Sequence, residues 1–278
     1  MSLPEYRRQP SGPPNERKMV SGMNGATAQA HTATSSGPFS KASFAHSFSP
    51  RDNATPGAIR SITLRGPAGR LEAILNLGAH DAPFAALVCH PHPVFGGTFH
   101  NKVVYRAMKM LNDARHGLGW PVLRFNFRGA GLSEGVHDGI AEVDDVLAAL
   151  DWLDGEFDRP VVIAGFSFGA AMALRACSVR ADERSNRPRI RAAIALGLPA
   201  KAEERVYDYA FLDQLRIPKL FLSGDRDAFA SPAQLRQITA SAAEPTRLEI
   251  LSGADHFFTG QLETMQERMK IWLTEQLQ

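Results

Sequence analysis

Short apolar runs alternate with amphipathic segments along most of this chain. Residues 59–64 and 71–77 read as two strands joined by a turn through Gly66, Pro67 and Gly69. Residues 84–89 form a continuous apolar run, the pattern of a strand buried on both faces. Further strands are predicted over residues 122–127, 161–166, 190–196, 219–223 and 247–251. Helical spacing marks residues 102–114, 140–153, 169–179, 232–241 and 261–277. In the second of these, Val143, Val146, Leu147, Leu150 and Leu153 fall on one side.

Strand and helix alternate from Phe84 onward. That order predicts an α/β fold: a mostly parallel sheet of about eight strands with helices on both faces. The first two strands, joined by a turn, are expected as an antiparallel edge. Between the strands ending at Leu196 and starting at Lys219 stand 22 residues, with a helix-like stretch over 207–215. That is too short for a full cap domain.

The pattern stops before residue 57. Residues 1–56 are rich in Ser, Pro, Gly, Ala and Thr without helical or strand period, as in a disordered tail, so the folded domain is expected over 57–278. The tail reads as a solvated extension, an over-long start with Met19 or Met23 as the true one, or an organelle transit segment. No apolar h-region follows its early basic residues, against a secretory signal. Six of the 31 Lys/Arg and three of the 29 Asp/Glu lie in residues 1–57, so the net charge of +2 divides into +3 there and −1 elsewhere. The basic balance therefore belongs to the tail, and no nucleic-acid partner is expected. No apolar run approaches the roughly 18 residues of a membrane span, so no membrane partner is expected either. Cys89 and Cys177 sit in apolar segments, as packed reduced thiols would, which fits a cytoplasmic location.

In a parallel sheet the chemistry gathers where strands end. The strand over 161–166 runs into Gly165-Phe166-Ser167-Phe168-Gly169 and then an Ala-rich helix. Gly-x-Ser-x-Gly between strand and helix holds a serine on a sharp turn, and the flanking positions must be small because side chains there would strike backbone. The bland alternative is a serine at a helix cap. A serine nucleophile needs a base, and the base needs an orienting acid. The next strand ends supply both in chain order: Gly224-Asp225-Arg226-Asp227 after the strand over 219–223, and Asp255-His256-Phe257-Phe258 after that over 247–251. His256 is the only histidine after Ser167. Asp227 is favoured as the acid, Asp225 as a turn former, and Asp255 is expected to project away from its neighbour.

An oxyanion needs donors. One is expected to be the Phe168 N–H, the other from His90-Pro91-His92-Pro93-Val94-Phe95, where the prolines have none and His92 or Val94 is favoured over Phe95. His90 and His92 stand two apart in a Pro-bound loop with no carboxylate partner, so they are read as shaping that loop and no metal is expected. The glycines of residues 128–135 lack the pattern of a phosphate loop or dinucleotide fingerprint, and no cofactor is expected.

Taken together, Cys89-His90-Pro91-His92-Pro93…Gly96-Gly97, Asn126-Phe127-Arg128-Gly129…Gly131…Ser133, the Ser167 pentapeptide, Gly224…Asp227 and Asp255-His256-Phe257-Phe258 resemble one family. They are similar to the small, lid-poor bacterial hydrolases of the α/β-hydrolase superfamily, related to the dienelactone-hydrolase and serine-esterase branches. The resemblance spans roughly residues 59–277. It implies the α/β-hydrolase fold and a Ser-His-Asp hydrolase, and it does not specify the substrate. Dienelactone hydrolases use a cysteine nucleophile, and Ser167 departs from that chemistry. Phe95, Phe166 and Phe257 are candidate walls of an apolar substrate site, while Phe99, Phe168, Phe229 and Phe258 serve either as walls or as core. A short-chain carboxylic ester is the expected substrate. A peptidase or amidase, a thioesterase, and a catalytically silent binding module remain as alternatives. The oligomeric state is not written in the sequence.

Overall fold

A computed structural model describes residues 55–182, 190–202 and 205–277. The expected tail lies outside the described residues except for its last two. Among the described residues ten strands occur: β1 (Ile59–Gly66), β2 (Gly69–Asn76), β3 (Ala85–Cys89), β4 (Val122–Phe125), β5 (Val161–Phe166), β6 (Ile190–Leu196), β7 (Lys201–Ala202), β8 (Arg205–Val206), β9 (Lys219–Gly224) and β10 (Thr246–Leu251). The helices are α1 (Lys102–Asn112), α2 (Glu142–Phe157), α3 (Phe168–Asp182), α4 (Pro232–Ala240) and α5 (Leu262–Gln276).

Eight strands make one sheet in the order β1-β2-β4-β3-β5-β6-β9-β10. β1 and β2 form an antiparallel hairpin, and β2 is antiparallel to β4. Every pairing from β4 to β10 is parallel. This is the expected sheet, with its antiparallel edge at the start.

Residue parity divides the core. Ala85, Leu87, Cys89, Val161 and Ile163 face the side covered by α2 and α3. Ala86, Val88, Val162, Ala164 and Phe166 face the side covered by α1 and α5. β3 and β5 are buried along their whole length, which is why their sequences are apolar at every position. Truncating one such side chain, Leu87 for example, is expected to cost about 2–5 kcal/mol. Both cysteines are buried and unbridged, and burial pushes the Cys177 thiol up to about 12.

Most element ends shift by one to four residues from the sequence pattern, and three departures have a clear local reason. The strand predicted to reach Phe127 stops at Phe125, because the Phe127 N–H donates to the His90 ring instead of a neighbouring strand. The helix predicted from Ile140 starts at Glu142, because Asp138 Oδ1 takes the N–H groups of Ile140 and Ala141. The helix-like stretch over 207–215 is a single 3-10 turn at Ala210–Asp213. It follows the β7–β8 hairpin, whose two-residue strands are too short to leave a periodic signal. Among the described residues no helix is long and apolar enough to cross a membrane.

Candidate active site

The turn after β5 carries Ser167. Its N–H donates to the Leu196 carbonyl of the neighbouring strand at 2.9 Å, and its φ of +55° lies in the left-handed region. For a non-glycine residue that conformation costs on the order of 1–3 kcal/mol, so the surroundings must enforce it. They do so by contact. A Cβ on Gly165 would stand 2.3 Å from the Gly169 carbonyl oxygen, and one on Gly169 would stand 2.3 Å from the His90 oxygen and 2.6 Å from the Cys89 oxygen. Both positions therefore require glycine, and the start of α3 sits directly on the end of β3. The Ser167 side chain is partly exposed at the mouth of this turn.

His256 reaches the same corner from the loop after β10. Its ring packs on Phe166, the residue before Ser167, with centroids 4.9 Å apart. It also covers Gly197, the residue after Leu196. A Cβ there would stand 3.2 Å from the His256 ring. Phe229 and Phe257 pack on the same imidazole at 4.4 and 5.2 Å. The Ser167 hydroxyl makes no hydrogen bond to His256 among the described residues. Such bonds are often long before substrate binds.

Asp227 holds the other side of the ring. Its Oδ2 lies 2.8 Å from His256 Nδ1 and also accepts the Ser223 hydroxyl at 3.0 Å, while Oδ1 accepts the Phe229 N–H at 2.8 Å. The carboxylate is fully buried, and three donors offset that burial. The other two aspartates serve turns. Asp225 accepts the Gly253 N–H and ties the loop after β9 to the loop after β10. Asp255 accepts the N–H groups of Thr259 and Phe257, and those bonds, Thr259 first, hold its carboxyl below the ordinary range.

The loop after β3 is shaped by its first histidine. His90 is buried, with Nδ1 2.6 Å from the Pro91 oxygen and Nε2 accepting the Phe127 N–H at 2.9 Å. Burial lowers its pKa to about 3, so the ring is neutral, with Nδ1 as the donor. His92 is lowered to about 4, by burial first and then by His137 and Arg205. Of the three N–H groups weighed in this loop, that of Phe95 is taken by the His92 oxygen at 3.2 Å. Those of His92, Val94 and Phe168 donate to no protein acceptor among the described residues.

The glycine-rich loop after β4 is scaffold. Asn126 holds the Phe99 N–H and reaches Glu72, Ser133 bonds the Asn126 oxygen, and Arg128 forms a buried pair with Asp145 at 2.7 Å. Of the expected aromatic walls, Phe95 is 61% and Phe257 48% exposed, whereas Phe166 is 0% exposed and supports His256 from the core. Phe99, Phe168 and Phe258 are buried as well. Sequence reasoning missed Ser223, Gly197 and the pair of His137 with Glu142. Only Ser223 carried a signal, by ending β9 beside the aspartates.

The comparisons agree with this architecture. Residues 105–275 match the alpha/beta hydrolase domain family. An uncharacterized protein of Rickettsia prowazekii is 36% identical over 221 residues, which cover 76% of this chain and 87% of that one. The structure of XC6422 from Xanthomonas campestris, described as an α/β serine hydrolase without lid, is 29% identical and superimposes with a TM-score of 0.66 over 81% of this chain and 97% of that one. An alpha-beta serine hydrolase homologue from Coxiella burnetii is 32% identical, with a TM-score of 0.66 over 76% and 96%. Sheet order, elbow and relatives lead to one assignment: the chain belongs to the alpha/beta hydrolase family.

Proposed function

We propose that this protein is a serine hydrolase that cleaves carboxylic esters of short acyl chains through an acyl-serine intermediate. The observation that carries the reading is the 2.8 Å contact between Asp227 and His256, set beside a strained serine turn. Strain of this kind is kept where function uses it.

In the first step the Ser167 oxygen bonds to the acyl carbon and its proton passes to His256 Nε2. Asp227 keeps Nδ1 protonated and stabilises the imidazolium. The oxyanion takes hydrogen bonds from the Phe168 N–H and from His92 or Val94. The ester C–O bond then breaks, and His256 returns the proton to the leaving alcohol. Water, deprotonated by the same imidazole, attacks the acyl-serine and releases the acid. No cofactor enters these steps. The substrate is a small molecule, and Phe95 and Phe257 offer its acyl group an exposed apolar edge. Among the described residues between β6 and β9, a pair of two-residue strands and one 3-10 turn intervene, which favours an open site and small acyl groups.

A panel of p-nitrophenyl acyl esters, acyl thioesters and aminoacyl anilides tests the reading. Acetyl to butyryl esters are expected to turn over fastest, and loss of turnover in Ser167→Ala is expected throughout. Faster cleavage of anilides would move the assignment to an amidase, and faster cleavage of thioesters to a thioesterase. No turnover of any class would contradict it.

A further inference from the structure

His137 lies in the loop between β4 and α2, and the mechanism above does not use it. Only 14% of its side chain is exposed. Its ring meets His92 at 4.4 Å between centroids and Phe168 at 5.4 Å. His92 and Phe168 also touch each other, at 5.0 Å, so the three rings close a triangle. His137 is the one ring that touches both among the described aromatic contacts. Those two neighbours carry backbone N–H groups suited to an oxyanion, His92 in the loop after β3 and Phe168 at the start of α3.

On its other side, His137 Nδ1 stands 2.6 Å from Glu142 Oε1, off the ideal direction for a hydrogen bond. Glu142 is fully buried in the first turn of α2, and its Oε1 also accepts the Asp138 N–H at 3.1 Å. Burying a carboxylate is costly, and packing alone would be served better by an apolar side chain. The close carboxylate restricts where the His137 ring can sit. An oxyanion hole works only when its donors stand about 2.7–3.1 Å from the developing charge, and small displacements weaken it.

We propose that Glu142 and His137 form a positioning pair that sets the spacing of the oxyanion donors on His92 and Phe168. This rests on the serine hydrolase reading. The pair touches no reacting atom. It holds the loop after β3 and the start of α3 at the separation the transition state needs.

The test compares wild type with His137→Ala, Glu142→Ala, the double variant and Glu142→Gln, each checked for a cooperative thermal melt. On the best p-nitrophenyl ester, His137→Ala is expected to lower kcat about 10- to 100-fold with KM within about twofold. Inhibition by a trifluoromethyl ketone of the same acyl group, which forms a tetrahedral oxyanion on serine, is expected to weaken in proportion to kcat/KM. The double variant is expected to lose no more than His137→Ala alone, because the two act as a unit, and Glu142→Gln is expected to recover much of the loss. A folded His137→Ala enzyme with wild-type kcat, a change confined to KM, or unchanged ketone inhibition would overturn the proposal. Fluorophosphonate labelling of wild-type Ser167 separates the two claims. Labelling with an unaffected His137→Ala variant overturns the positioning role alone. Absence of labelling overturns the role and the hydrolase reading together.

Discussion

His90 Nε2 accepts the Phe127 N–H at 2.9 Å, so a single neutral imidazole fastens the loop after β3 to the chain leaving β4. Burial lowers the folded-state pKa to about 3, against 6.5 for the free side chain. Between those values the unfolded chain binds the proton more readily than the folded one. Stability from this group is therefore complete above pH 6.5 and is lost as pH falls toward 3, by about 1.4 kcal/mol per pH unit at most. Urea unfolding of wild type and His90→Gln from pH 7 to pH 4 checks this. The wild type is expected to lose stability more steeply, and parallel curves would contradict it.

Asp227 receives three donors and Asp225 receives a different one, so two residues apart in sequence they have different work. Asp227→Asn puts a donor where His256 Nδ1 needs an acceptor, which favours the wrong tautomer. A fall in kcat of about 10³- to 10⁴-fold is expected, with a small change in KM. Asp225→Asn leaves the imidazole untouched and is expected to stay within a few-fold of wild type. Steady-state kinetics on one ester decide the matter, and equal losses would sink the distinction.

Gly169 and Gly155 give opposite expectations for the same change to alanine. A Cβ at Gly169 would press on two backbone oxygens of the β3 end, while one at Gly155 in α2 meets nothing within 4 Å. Gly169→Ala is expected to destabilise by more than about 3 kcal/mol, since rigid backbone cannot yield. Gly155→Ala removes a poor helix former and is expected to stabilise by about 0.5–1 kcal/mol. Chemical denaturation of both variants reads the contrast directly.

Much of this was legible in the chain. Apolar runs of four to seven residues at β3, β5 and β6 announced a parallel sheet, since strands buried on both faces have no polar side. The serine turn announced itself through Gly165 and Gly169. Phe166 reads from the sequence as a candidate wall, whereas it closes a strand buried on both faces and lies against the His256 ring in the core. The pairing of His137 with Glu142 and the position of Gly197 against His256 left no local mark. They depend on loops from different strands meeting, and no period or spacing encodes that.

In the proposed mechanism Ser167 is the nucleophile and His256, oriented by Asp227, is its base. Labelling of the full chain with a fluorophosphonate, read by intact and peptide mass spectrometry, tests it most directly. One adduct per chain is expected, on Ser167, absent from Ser167→Ala and strongly slowed in His256→Ala. An unlabelled wild type, or an adduct that persists when Ser167 is replaced, would rule out Ser167 as the nucleophile.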